Sequence, residues 1–485
     1  MAEPDAGEVA DEAARADEIL QEFDSPTRSH GPGAAATMAA IAAIWSLFQL
    51  WIASPLPFQL GFGIFADVPA RSIHLAFGLL LCFLMFPATV KGRARGLPLY
   101  DLIVALVASG CALYLYFGQE GLTKRVGVLL EQQIFGITVP TEALIGGVGI
   151  VLLLEATRRA IGLPLVIICT VFLVFSIFGQ SMPEIIAHKG VSHERLIGYQ
   201  WLTGEAIFGI PIDVSVSFVF LFVLFGALLE QAGAGKYFLD IAFAMVGKYR
   251  GGPAKAAILA SGMNGAISGS SIANVVTTGT FTIPVMRKIG IPATKAGAIE
   301  VAASTNGQIM PPIMGAAAFI IAETIGISYF DVVVAAFIPA VISYMALLYI
   351  SHLEALKLNL QGLPLADLPR FWPVFKGGIH FLIPIVVLVY LLMVERWTAG
   401  SAVFYSIILL MVIILYQHVA IALRSDTMTG MDGLRAGISD IYAGLVTGAR
   451  NMIGISIAVA SAGIIVGAVS STGLNNAMVG VVEAL

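Results

Sequence analysis

The sequence predicts an all-α polytopic membrane protein of about ten transmembrane helices, with a re-entrant helical hairpin and a proline-broken helix among them. Three observations predict it. Of the 485 residues, 58% are hydrophobic and 12% charged, and the mean hydropathy is +0.90, which leaves too little polar surface to cover a soluble fold. Apolar runs recur at the length of a bilayer crossing. Between 253 and 326 the hydrophobicity continues, but Gly, Ser, Thr, Asn and Pro interrupt it.

The chain opens on a tail, residues 1–36, in whose first 26 residues acids greatly outnumber Arg15. Such a composition makes a solvated cytoplasmic tail. It lacks a basic segment followed by an apolar core and a small-residue cleavage site, so the first membrane helix is expected to act as the insertion signal. The net charge of -5 argues against a nucleic-acid partner. Cys82, Cys111 and Cys169 each lie in an apolar run and read as small buried hydrophobes rather than disulfide or metal ligands. The seven histidines show no HExxH spacing, and neither GxSxG nor a P-loop occurs, so nothing points to chemistry on a covalent bond.

Spans are expected at roughly 37–54, 71–90, 99–117, 143–157, 162–179, 211–231, 331–351, 378–395, 400–422 and 441–470. If they alternate, Arg28, "KGRARG" at 91–96, "RR" at 158–159, "GKYR" at 247–250, "MRK" at 286–288, Arg424 and Arg435 all fall on one side. The positive-inside rule makes that side cytoplasmic, with the N-terminus. The pattern closes only if 253–285 enters and leaves on the same face, as a re-entrant hairpin. "QEGLTKRVGVLLEQQ" and "MPEIIAHKGVSHERL" fall on the other side, balance their basic residues with acids, and read as interfacial amphipathic helices. The organisation is therefore a scaffold of five spans over 37–204, a hairpin-bearing repeat over 205–352, a cytoplasmic amphipathic connector over 353–377, and further helices over 378–485.

Non-helical backbone at membrane depth survives only when buried in protein or lining a cavity. In "NGAISGSSIAN" the tip is Ser268, Gly269, Ser270 and Ser271, and a second half-helix beginning there would turn its free N–H groups toward an anion such as a carboxylate. The hydroxyls of Ser268, Ser270 and Ser271, the amides of Asn264 and Asn274, and the carbonyls ending the first half-helix offer neutral oxygens to a sodium ion. A second break follows in "ASTNGQIMPP", where Pro311 and Pro312 cannot close the helix and leave carbonyls near Asn306 to Met310 free. Ser304, Thr305, Asn306, Gly307 and Gln308 join the candidate set there. Two such breaks in one membrane protein point to a transporter site. Close helix packing is the alternative use of small and hydroxylated residues. Glu300 suits either a cation carrier or a structural hydrogen bond and is left outside the core site; Glu155 reads as a partner of Arg158 or Arg159 at helical spacing.

"SGMNGAISGSSIANVVTTGTFTIPVMRKIG" followed by "ASTNGQIMPPIMGAAAFIIAE" resembles the large membrane subunit of tripartite ATP-independent periplasmic (TRAP) transporters of the TAXI type. In that type the small and large membrane subunits are commonly fused. The resemblance covers about 205–485, and the front with "LLLEATRRAIGLPL" looks like the fused small subunit. It implies an elevator-type, sodium-driven secondary transporter in the bacterial inner membrane, taking organic anions, usually carboxylates, from a periplasmic substrate-binding protein. The family pairs two inverted repeats, and "AGLVTGARNMIGISIAVASAGIIVGAVSSTGLNNAMVGVVEAL" resembles the start of the second, so the expectation is of a chain truncated before its second hairpin. Two rivals stand beside this expectation. One is a structural membrane subunit or inactive fragment without its own transport site; the other is a membrane-embedded enzyme, for which no nucleophile, metal cluster or acid pair is placed at depth.

Overall fold

The computed structural model describes residues 28, 30–89, 96–125, 128–134, 137–269, 271–424 and 429–484. Most of the acidic tail, most of "KGRARG" and Ser270 lie outside the described residues. Each of the ten predicted runs overlaps a helix. In chain order these are α1 (Pro32–Ala53), α2 (Asp67–Met85), α3 (Leu99–Arg125), α4 (Thr141–Ala160), α5 (Leu163–Ile177), α6 (His193–Trp201), α7 (Ile210–Gln231) and α8 (Ala234–Val246). The hairpin arms are α9 (Gly252–Ser268) and α10 (Ser271–Lys288), and the broken helix is α11 (Ala293–Gly307) with α12 (Ala316–Ile325). Then come α13 (Tyr329–Lys357), α14 (Phe371–Gly377), α15 (Ile379–Met393), α16 (Ala399–Arg424), the 43-residue α17 (Gly430–Thr472) and α18 (Leu474–Ala484).

Among the described residues, seven helices have the length and composition to cross a bilayer alone: α1, α2, α3, α7, α13, α16 and α17. An eighth is added if the pair Leu365–Gly377 and Ile379–Met393, bent by 56°, is one span. The chain is thus a helical membrane protein with fewer plain spans than the ten expected, for two reasons. Helix α4 carries Glu142, Glu155, Arg158 and Arg159 at its ends, and α5 has 15 residues, enough for about 22 Å of rise against a hydrocarbon core of about 30 Å. Nor is every element helical. The segment expected as an interfacial helix after 118 instead prolongs α3 to Arg125, and a two-stranded antiparallel ladder follows, β1 (Gln132–Ile134) with β2 (Ile137–Val139). Just before the second such segment and within it, short 3₁₀ turns at Gly179–Ser181 and Glu184–Ile186 precede α6. There the Ser192 side chain accepts the Arg195 N–H and starts the helix.

The chain divides into two compact units that interleave along the sequence. One contains residues up to Ile41, then Ser72–Ile207 and Ser456–Leu485. Its interior is apolar with buried polar ties: Trp201 Nε1 donates to Cys111 O at 3.0 Å, Gln200 Nε2 to Ile464 O at 3.1 Å, and Thr157 Oγ1 meets Ser461 Oγ at 2.6 Å. All three cysteines are buried free thiols. A charged cluster lies in this unit as well. Asp101, fully buried, takes one guanidinium from Arg28 and another from Arg159, whose Nη1 is 2.7 Å away. Arg159 and Arg158 both also bind Glu155.

The other unit contains Ala42–Arg71 and Phe208–Ile455. At its centre is α7, buried almost throughout and loosened into a π turn at Ser215–Val219. Arg71 anchors its start through Asp213 Oδ1 at 2.9 Å and Phe208 O at 3.0 Å. Around α7 pack α9, α12 and α16. Small residues set the spacing: a Cβ on Gly226 would lie 3.0 Å from Ser268 Cα, which places the hairpin tip directly on α7.

Candidate functional site

The hairpin closes because α9 ends at Ser268 and Gly269 turns left-handed at φ 61°, its N–H returning to Gly265 O at 3.1 Å. A Cβ at Gly269 would meet Met314 O at 2.4 Å, so the tip is glycine for reasons of space as well as backbone angle. The broken helix arrives from the other side. After Gly307, residues 308–315 leave the helix, and Met314, buried and non-glycine, holds φ 60°, a strained angle for such a side chain. The two breaks touch at backbone level: a Cβ on Gly265 would lie 2.7 Å from Gly307 Cα, and the converse distance is also 2.7 Å. Ile313 N–H donates to Ala266 O at 3.2 Å, tying the unwound segment to the first arm.

Around this contact the polar side chains bond to one another. Asn274 Nδ2 donates to Ser261 O at 2.8 Å and to Ser261 Oγ at 3.0 Å, while its Oδ1 accepts from Asn264 Nδ2 at 3.2 Å. Ser261 Oγ meets Ser304 Oγ at 2.9 Å. Glu300, fully buried, is surrounded by hydroxyls: Thr278 Oγ1 and Ser304 Oγ on Oε1, Thr282 Oγ1 on Oε2 at 2.6 Å. Tyr344 of α13 closes the side with its hydroxyl on Ala303 O at 2.7 Å.

Of the residues singled out from sequence, Asn264, Asn274 and Ser304 lie in this network, Gly307 forms the close contact, and Gly269 caps the arm. Ser268 Oγ is buried with no hydrogen-bond partner among the described residues. Ser271 and Gln308 form a separate exposed bridge, Gln308 Nε2 to Ser271 Oγ at 2.9 Å. Thr305 is exposed and donates to its own helix at Val301 O; Asn306 is half-buried. Pro311 and Pro312 sit in the unwound stretch as the break requires, yet the carbonyls expected to be free there are largely used. Thr305, Asn306 and Gly307 accept turn bonds from Gln308, Ile309 and Met310, and Gln308 O accepts from Gly315 at 2.7 Å. Irregular backbone inside a membrane protein finds local partners before it finds ligands.

Ser261, Thr278 and Thr282 were missed from sequence, and Glu300 was set aside. A signal existed: Asn274, Thr278 and Thr282 stand four apart on one helix face, as do Glu300 and Ser304 on the facing one.

The family model described as the tripartite ATP-independent periplasmic transporter, DctM component, matches residues 148–485. Among proteins similar to this chain, an uncharacterized protein, YgiK, of Salmonella typhimurium is 26% identical over 53% of this chain and 54% of its own length. The C4-dicarboxylate TRAP transporter large permease protein DctM of Pseudomonas aeruginosa is 30% identical over 31% of this chain and 35% of its own. The 2,3-diketo-L-gulonate TRAP transporter large permease protein YiaN of Escherichia coli is 25% identical over 34% and 39%. The chain spans about half, or less, of the length of these curated relatives. The family match takes in well over half of the chain, with the hairpin, the broken helix and all their packing neighbours from α7 onward, and this chain belongs to the DctM family of tripartite ATP-independent periplasmic transporter components.

Proposed function

We propose that the chain acts as a TAXI-type permease, with small-subunit-like front helices fused to the DctM region, in a sodium-coupled, elevator-type uptake system of the bacterial inner membrane. Its cargo would be organic anions, chiefly carboxylates, delivered by a periplasmic substrate-binding protein, with the N-terminus of the permease cytoplasmic. The family is one of transporter permeases, and the enzyme alternative is set aside on that ground. Support for the cargo class comes from relatives named for C4-dicarboxylate, 2,3-diketo-L-gulonate and sialic acid.

The observation that carries the proposal is the backbone contact of Gly265 with Gly307, which brings both helix breaks together beside the buried Ser268 hydroxyl, unpartnered among the described residues. Broken helices paired in this way are where transporters hold ions and substrate. The test is sodium binding by calorimetry on the purified chain in detergent, with potassium as control. Saturable, sodium-selective binding that Asn274→Ala and Asn306→Ala weaken supports the proposal; its absence overturns the sodium assignment.

A second reading, a structural subunit without its own transport site, is favoured by one specific feature. Asn264, Asn274, Ser261 and Ser304 satisfy one another, as a purely structural lock would. Under that reading the same variants lower the melting temperature and leave no sodium binding to lose.

A further inference from the structure

Outside the hairpin, a cavity of about 180 Å³ lies where the start of α13 meets the end of α15 and the link from there into α16, lined among others by Ser328, Tyr329, Phe330, Arg396, Trp397 and Thr398. Arg396 is its only basic lining residue. The guanidinium stands 5.1 Å from the centroid of the Phe330 ring, and among the described residues no carboxylate pairs with it. The acids next to the lining residues are engaged elsewhere: Glu395 accepts from Tyr390 Oη at 2.6 Å, and Asp331 accepts from Ser328 Oγ at 2.6 Å. The backbone at Arg396 is also unusual. It holds φ 53°, left-handed, where a chain would ordinarily place glycine. Local strain kept at a charged residue facing a cavity is a mark of function.

We propose that this cavity is an anion site for one small organic carboxylate, held by the Arg396 guanidinium. The chemistry is specific. A guanidinium offers a planar fork of donors that matches a carboxylate bidentately, the hydroxyls of Ser328 and Thr398 add polar atoms at the rim, and the half-buried rings of Tyr329 and Phe330 form an apolar wall behind an exposed Arg396 that a small anion can reach. The volume suits a small acid rather than a folded partner. The site also reaches the broken helix: the Tyr329 ring lines the cavity, while its hydroxyl donates to Pro312 O at 3.1 Å and to Ile313 O. Phe319 stacks on the same ring at 4.2 Å. A carboxylate on Arg396 is thus separated from the unwound segment by a single side chain. The site goes beyond the sodium proposal and requires none of its ligands.

Trp397 supplies the probe. The experiment titrates the purified chain in detergent with succinate and follows the fluorescence difference between the wild type and Trp397→Phe, with succinamide and inorganic phosphate as controls. The expected result is a saturable change with succinate that Trp397→Phe abolishes, little change with succinamide, and a midpoint at least about tenfold weaker in Arg396→Gln. Arg396→Lys should fall between, because an ammonium keeps the charge and loses the fork. Arg396→Gly tests the same loss in a variant whose backbone is relaxed rather than strained. An unchanged midpoint in Arg396→Gln and Arg396→Gly, or no saturable signal from the wild type, overturns the site. A response to phosphate as strong as that to succinate overturns the carboxylate assignment. Sodium binding measured on Arg396→Gln should match the wild type, so failure here and failure of the sodium proposal are read separately.

Discussion

In the unit that holds α2 to α6, the buried carboxylate of Asp101 faces two guanidinium groups, Arg28 and Arg159, whereas the buried carboxylate of Glu300 in the hairpin unit faces hydroxyls of Thr278, Thr282 and Ser304. Both acids are fully buried, so the contrast lies in the partners. Full charges taken out of water are stable only as a matched set, and removing one member strands the rest. Hydroxyls and amides have smaller desolvation costs and can trade one acceptor for another. Thr278 Oγ1 already reaches both Glu300 and Asn274 O, and Thr282 Oγ1 both Glu300 and Thr278 O. The ionic cluster therefore fixes a scaffold, and the hydroxyl cluster can rearrange without breaking one.

The largest effect should come from attacking the ionic side. Asp101→Leu leaves Arg28 and Arg159 buried without that counter-charge, and a loss of about 3–5 kcal/mol is expected, read as a fall in thermal stability of the detergent-solubilised protein. Arg28→Met should cost less, because Asp101 keeps one counter-charge and no buried ion is left wholly unpaired. Arg159 remains on Asp101, and among the described residues Arg28 Nε and Nη1 have no hydrogen-bond partners to lose. Equal losses from the two variants would break the account of Asp101 as the hub.

Next comes the contact that holds the two helix breaks together. Gly265→Ala places a methyl 2.7 Å from Gly307 Cα, where only backbone movement can relieve it, and should cost about 1–3 kcal/mol. Gly297→Ala on the same broken helix is the control: nothing lies within 4 Å of its Cβ, so helix propensity should raise stability by about 0.5–1 kcal/mol. Opposite signs for the two in one melting experiment would show that the hairpin is held by shape; matching signs would remove that conclusion.

An effect no larger than that is expected inside the amide cluster. Asn274→Leu strips the donor that serves Ser261 O and Oγ and the acceptor that serves Asn264. The buried Asn264 amide then lacks a partner, at about 1–3 kcal/mol. Asn264→Leu on that background should recover part of the loss, because both halves of the pair are then apolar, and a recovery of zero would mean the two amides do not act as a pair.

The contrast between the clusters also explains what was legible in the sequence. Helices followed from apolar run lengths, and the two breaks from Ser268 to Ser271 and from Pro311–Pro312, because these are local properties of backbone and hydropathy. Helix α17 begins at Gly430, well before the apolar run that announced it, since its first turns carry Asp432, Arg435 and Asp440 and hydropathy does not register polar helix. The ionic hub was out of reach: Arg28 and Asp101 are 73 positions apart, Asp101 and Arg159 58, and nothing in either neighbourhood names the other. Arg396 was invisible for a different reason. Its left-handed angle and its place over a cavity belong to the fold alone, and from sequence it was one charge at a span end.

The finest test is Glu300→Gln, which removes the capacity for charge and almost no volume. If the hydroxyls of Thr278, Thr282 and Ser304 are free to turn, the new amide presents a carbonyl and two N–H groups to them. Thr278 and Thr282 can then donate to Asn274 O at 2.7 Å and Thr278 O at 2.9 Å, and each hydroxyl keeps a partner. Stability should fall by about 1 kcal/mol or less. Glu300→Leu supplies the opposite case, since position 300 then offers the three hydroxyls no polar atom beyond their Asn274 O, Thr278 O and Ser261 partners, and a larger loss is expected from it. If Glu300→Gln proved as costly as Asp101→Leu, the charge itself would be holding the hairpin unit together. The two clusters would then be versions of one device, and a rearranging polar core would no longer distinguish the hairpin from its scaffold.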